Sequence, residues 1–465
     1  MNKLLCLLTV SLLLAIVSLA ASAADVRPDF KLLRQDEDWS WLRDATVPAD
    51  PFDAWKFIAL NRSGSAWLTL GGEVRERYEY FDEANWGRGI QDRNGYVLHR
   101  FMVHADAHLG DTFRLFTQFK SGLESDRAGG PRPTDRDDFD VHQLFADARF
   151  AVGADQHLTL RLGRQELSFG SQRLVSVRES PNVRRSFDGA RAIWEHGVWQ
   201  LNAFAVRPVE TKTGVFDDGP DPGAKFWGLY GVAPFPVLPG GRVDLYYLGL
   251  ERDTARYDQG AAHERRHSVG TRLWGRHLPW DWNFEFVYQF GSFGDDEIAA
   301  WTAASDTGFT LASVPWTPRL GLKADVTSGD RDSSAHRLET FYPLFPKGAY
   351  FGEAGLIGPM NHIDLHPSVE LHPTPAVTFT ADADFFWRES TRDGVYNTGL
   401  SVVRSGINGG SRYVGAQAAA QIEWRLQRHW KWAANYTHFF AGTFLHENPP
   451  DQDVNYFSTW VTFRF

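Results

Sequence analysis

The sequence predicts an all-β fold, a transmembrane antiparallel β-barrel of about 18 strands with short periplasmic turns and long extracellular loops. Three observations carry this reading. In the stretch "LTLGGEVRERYEYF", Leu68, Leu70, Val74, Tyr78 and Tyr80 take one register, and Thr69, Glu73, Arg75, Arg77 and Glu79 take the other. Alternation is the period of a strand, and an apolar face opposite a charged one suits a wall between lipid and a wet lumen. Residues 1–23 hold Lys3, an apolar run to Ala20 and the small-x-small site Ala21-Ser22-Ala23, the pattern of a cleaved secretory signal peptide. The composition is 14% aromatic and 23% charged with a mean hydropathy of −0.36, as expected where only half of each strand meets lipid.

Beyond the signal no apolar run reaches the roughly 18 residues of a membrane-spanning helix. Cys6 lies within the signal with no lipobox before it, so the mature chain needs neither disulfides nor thiolate chemistry. A formal charge of −10 excludes nucleic acid as a natural partner.

Residues 24–65 read as an N-terminal lead-in, with Trp39, Trp41, Trp55 and Phe57 but breaks at Pro48, Pro51 and Gly64. The barrel occupies 66–465. Its second strand, 97–109, turns Phe101 and Val103 outward and Arg100, His104 and Asp106 inward. After the tight Gly110-Asp111 turn, Phe113, Leu115 and Phe119 face out while Arg114, Gln118 and Lys120 face in. The strand at 141–151 directs Asp147 and Arg149 to the lumen, and the next places Leu158, Leu160 and Leu162 against lipid with Arg161 inward. Alternation recurs at 187–195, 198–208, 225–234, 243–253, 267–276, 282–292, 297–306, 318–329, 362–372, 376–389, 413–426 and 430–443. The last strand, 454–465, ends "YFSTWVTFRF", with Phe457, Val461, Phe463 and Phe465 on the lipid face, an ending suited to the barrel-assembly machinery.

Gly110-Asp111 is expected on the periplasmic side, and the acidic runs 135–140 and 216–221 outside the cell as solvated loop carboxylates without the spacing of a calcium loop. The longest insertion, 330–361, is expected to fold into the lumen as a constriction. A β-helix or a large sandwich would leave the export signal, the loop asymmetry and the terminal phenylalanine unexplained together.

No G-x-S-x-G, H-E-x-x-H or Walker loop occurs, so an enzyme is not expected, and no cofactor is implied. His362, His366 and His372 share one strand face, as do Asp382 and Asp384; lumen lining is the simpler reading than a metal site. The remaining constellation is basic. Arg75, Arg77, Arg100, Arg114, Lys120, Arg149, Arg161 and Arg191 come from the first six strands, and Arg272, Lys323 and Arg388 from later ones. Arginine offers fixed bidentate geometry to carboxylates, so these residues are a candidate path for an anion. The alternative is that they fill the interior through ion pairs with Glu73, Glu79, Asp106, Asp147 and Glu285.

The segments "DEDWSWLRD", "FRLFTQFKSGLESDRAGGPRPTD", "GRQELSFGSQRLVSVRESPNVRRSFDG" and "TFYPLFPKGAYFGE" resemble the alginate export family of bacterial outer-membrane porins. The resemblance implies a monomeric eighteen-stranded barrel, set in outer-membrane lipid and lipopolysaccharide, whose arginine-lined constriction passes a polyuronate. The expected function is passive passage of anionic saccharides, alginate or a similar polyuronate. A general or aromatic-acid porin of low selectivity is the second reading, and a plugged, non-conducting barrel a third.

Overall fold

A computed structural model describes residues 27–44, 50–332 and 334–465; the signal peptide read over 1–23 lies outside them. Eighteen long antiparallel strands form one closed barrel. They are Ala66–Asp82 (β1), Tyr96–Leu109 (β2), Phe113–Ser125 (β3), Asp137–Gly153 (β4), Gln156–Gln165 (β5) and Phe187–His196 (β6). Then come Trp199–Glu210 (β7), Ala224–Pro234 (β8), Gly241–Tyr257 (β9), Gly260–His277 (β10), Trp280–Phe293 (β11) and Asp296–Thr310 (β12). Arg319–Thr327 (β13), His362–Thr374 (β14), Val377–Trp387 (β15), Tyr413–Arg425 (β16), Trp430–Ala441 (β17) and Val454–Arg464 (β18) complete the wall. Each strand pairs with the next, and β18 returns to β1 with Val74 opposite Phe463 and Tyr78 opposite Thr459. Closure leaves no sheet edge.

Burial runs inside out, as lipid for solvent requires. On β1, Arg77 is 1% exposed, whereas Leu162 on β5 is 68% exposed. Every strand read from alternation is present. Several differ in extent: β4 begins at Asp137, ahead of 141, β12 runs to Thr310, past 306, and β9 and β10 continue pairing up to Tyr257 opposite Gly260, past the limits 253 and 267. Charges at 251–266 erase the apolar alternation there, but they satisfy one another across the ladder, with Arg265 donating to Glu251 at 2.8 Å and Arg252 to Glu264 at 2.8 Å. The connection that remains is Asp258-Gln259, so two links on the long-loop side, this one and Gly294-Asp295, are tight.

The interior is filled from three directions. Of the insertion expected to enter the lumen, residues 338–361 fold inward, while Arg331, Asp332 and 334–337 stay exposed. Segment 166–186, which strand periodicity had not flagged, also folds inward. The two are clipped together: Phe345 donates to the Leu174 carbonyl (2.8 Å), Ser176 to that of Phe345 (2.9 Å) and Lys347 to that of Gln172 (3.1 Å). Leu167, Phe169, Leu174, Leu338, Phe341 and Leu344 pack on inward Phe204, Phe226, Tyr230 and Tyr246. Phe169 stacks on Tyr230 at 4.8 Å, and Tyr230 on Tyr246 at 5.1 Å. Part of the lumen wall is therefore aromatic, not polar, and its burial holds the loops in place.

The lead-in is the third filler. Arg34 donates to the carbonyls of Gly72 (3.0 Å) and Phe465 (2.8 Å), and Gln35 accepts from Gln143 at 3.0 Å. It thus closes over the β1–β18 seam. Phe465 is not open to lipid as expected: its ring is half-buried, 5.2 Å from Phe52 and 5.6 Å from Trp55. Glycine is required opposite it, since a Cβ at Gly72 would stand 2.7 Å from the Phe465 ring. Deleting Phe465 should lower the heat-modifiable fraction in outer-membrane preparations; full assembly without it would remove its role in closing the seam.

Candidate functional site

Most of the predicted cations already have partners. Arg75 donates to the carbonyls of Glu179, Ser180 and Pro181 at 3.0–3.1 Å, so it grips the 166–186 loop from the wall. Arg100 does the same through the carbonyls of Glu179 (2.7 Å) and Asn182 (2.8 Å) and the Glu179 carboxylate (2.9 Å). Arg77 pairs with Glu79 (2.8 Å) and with Glu353 of the other inward loop (2.8 Å), and stacks over Trp460. Arg114 binds Asp106 (2.7 Å), Arg161 binds Asp147 (2.8 Å) and Arg272 binds Asp244 (2.9 Å). Lys120 bridges Asp137 (2.6 Å) and Asp218 (2.8 Å). The acidic runs are accordingly not solvated throughout: Asp135 and Asp137 are fully buried. Arg388 lies just past β15 and donates to the Thr391 and Asp393 carbonyls of its own loop, at 2.9 and 3.0 Å.

Three of the predicted residues keep their charge available. Arg149 is exposed at the turn beside Thr112. Arg191 faces the amide oxygen of Asn202 at 2.6 Å and has no carboxylate within 4.0 Å among the described residues. Lys323 likewise has none.

Lys323 lines a polar gap of about 50 Å³ between the wall and the inward loops, the candidate constriction of the lumen. β11–β14 supply Asn283, Asp306, Lys323, Asp325, Asp364 and His366; the inward loops supply Ser171, Arg173, Lys347 and Tyr350. Arg173 keeps its nearest carboxylates loose, Asp325 at 3.6 Å and Glu285 at 3.8 Å, with Nη1 unpaired among the described residues. Lys347 has no carboxylate within 4.0 Å among them. Burial, then Lys323 and Arg173, push the Lys347 ammonium down to about 8. Tyr350 donates to Asp325 at 3.2 Å. Three cations from three separate elements meet here. Arg173 and Lys347 escaped the sequence reading because strand alternation gives no information about loops that fold inward. Of the histidines, His362 and His366 face the lumen and His372 is exposed.

The site is thus a charged gap between the wall of a closed barrel and its inward loops. The sequence matches the family model described as alginate export over residues 66–458. The chain belongs to the alginate export family. This family member is an outer-membrane porin and not an enzyme. Comparison with curated proteins finds no match. Among solved structures, Pseudomonas aeruginosa OpdK with vanillate is similar at a TM-score of 0.59 and 12% identity, over 88% of this chain and 99% of that one. P. aeruginosa OccK2 (OpdF) in complex with glucuronate is similar at 0.56 and 11%, over 88% and 99%. P. aeruginosa OccK8 (OprE) is similar at 0.57 and 11%, again over 88% and 99%. At such identities the likeness is one of fold.

Proposed function

We propose that this porin gives passive passage to carboxylate-bearing anions, uronate saccharides such as alginate fragments first among them. It acts as a monomer, exported with a cleaved signal peptide. The supporting observation is the meeting of Arg173, Lys323 and Lys347 at the constriction. Fixed cations beside a narrow aqueous gap raise the local concentration of anions, and opposed carboxylates keep them from binding too tightly to leave. Arg191 and Arg149 extend the path toward the periplasmic mouth. Strand arginines that already hold loops or carboxylates shape the lumen and do not carry solute. Tyr350 and Phe351 at the same gap favour a second reading, an aromatic acid, in line with the vanillate named for OpdK.

The test is a planar bilayer in which glucuronate, alginate oligomers, vanillate or glucose is added to one side of the open channel. Uronates should interrupt the current and glucose should not. Vanillate alone blocking would select the second reading. Equal indifference to all four would overturn both. Because Lys347 loses its proton above about pH 8, block by glucuronate should weaken between pH 7 and 9. A block that is constant over this range would remove Lys347 from the path.

A further inference from the structure

On the lumen face of β13–β15, five metal-ligating side chains are buried side by side: Asp325, His362, Asp364, His366 and Asp384. Their donor atoms form two triads, Asp325–His362–Asp364 and Asp364–His366–Asp384, each with its atoms within 4.8 Å of one another. Asp325 and Asp364 are directly opposite in the β13–β14 register, where like charges repel. Six other buried carboxylates of the barrel, Glu73, Glu79, Asp106, Asp147, Asp244 and Glu264, each have an arginine within 2.9 Å. Asp364 and Asp384 have neither arginine nor lysine within 4.0 Å among the described residues, only histidines.

The hydrogen bonding is also incomplete. His362 Nε2 is 3.1 Å from Asp364 Oδ1, and His366 Nδ1 is 3.1 Å from Asp384 Oδ2. Yet Asp364 Oδ1, both Asp384 oxygens and both His362 nitrogens lack an aligned hydrogen-bond partner among the described residues. These groups are 3% exposed or less, so leaving them unsatisfied is costly. His366 Nε2, by contrast, bonds Asp382 Oδ1 at 3.0 Å, the carboxylate–histidine pairing that orients a ring for metal binding through its other nitrogen.

We propose that Asp364, His366 through Nδ1, and Asp384 bind one divalent transition-metal ion of the zinc class, with Asp382 positioning His366. Imidazole among so few ligands disfavours calcium, which takes about 6–8 oxygens. Three protein ligands leave a coordination position open, and Asp364 and His366 also line the constriction. The site is independent of which solute passes.

Purified barrel in detergent, stripped with chelator, is titrated with Zn²⁺ and separately with Ca²⁺ and Co²⁺. Expected are one Zn²⁺ per chain, no competition from excess Ca²⁺, and visible Co²⁺ absorption bands. His366→Ala and Asp384→Asn should each weaken binding by about 100-fold or more, and Asp382→Asn by about 10–100-fold, with exposed His372→Ala unchanged. Heat-modifiable migration checks that each variant is folded; should one fail, the wild-type Zn²⁺ and Co²⁺ titrations still decide. Absence of saturable Zn²⁺ binding, preference for Ca²⁺, or undiminished binding by folded His366→Ala and Asp384→Asn would overturn the site.

Discussion

Alanine at both Arg75 and Arg100 should raise single-channel conductance several-fold and make the current noisier, without changing ion preference. The two guanidiniums clasp 179–182 of an inward loop through the hydrogen bonds of 2.7–3.1 Å described above. Hydrogen bonds to a charged group contribute about 1.5–3 kcal/mol each, so losing the set removes several kcal/mol from that clasp. Leu174 and Val175 would stay on the aromatic wall, so the loop swings from one end and does not unfold. Arg173, on the anchored end, still faces the constriction. Unchanged conductance would mean that the loop is held by its other contacts, among them Asn182 on the carbonyls of His99, Leu123 and Asp135. A changed ion preference would return these two arginines to the solute path.

The barrel was legible because lipid imposes one rule on every strand: Phe101, Val103, Leu115 and Leu162 had to alternate with polar neighbours, and they do. The rule fails wherever the wall leaves the membrane. On β9 and β10 the charges at 251–266 hide a continuing ladder, since cross-strand ion pairs replace apolar contact. Register also tells a residue's face but not its partner. Arg75 and Arg100 point inward as read, yet what they meet lies 79–106 residues away in sequence, on a loop with no periodic signal of its own. The apolar residues of 166–186 and 328–361 could pack inside or outside a barrel; only the facing Phe204, Phe226 and Tyr230 decide it. Lys323 was legible as an inward strand cation, while Lys347 beside it came only with the fold.

The central claim is that loop and late-strand cations at the constriction, not the early strand arginines, set the preference for anions. Reversal potential across a tenfold KCl gradient tests it most directly, comparing wild type with Lys323→Glu/Lys347→Glu. The double variant turns two positive charges into two negative ones, well within the screening length of about 8 Å at physiological salt. Wild type should be anion-selective, and the variant's reversal potential should change sign, while Arg75→Ala/Arg100→Ala keeps the wild-type sign. An unaltered reversal potential in the lysine variant, with its barrel intact by heat-modifiable migration, would contradict the claim.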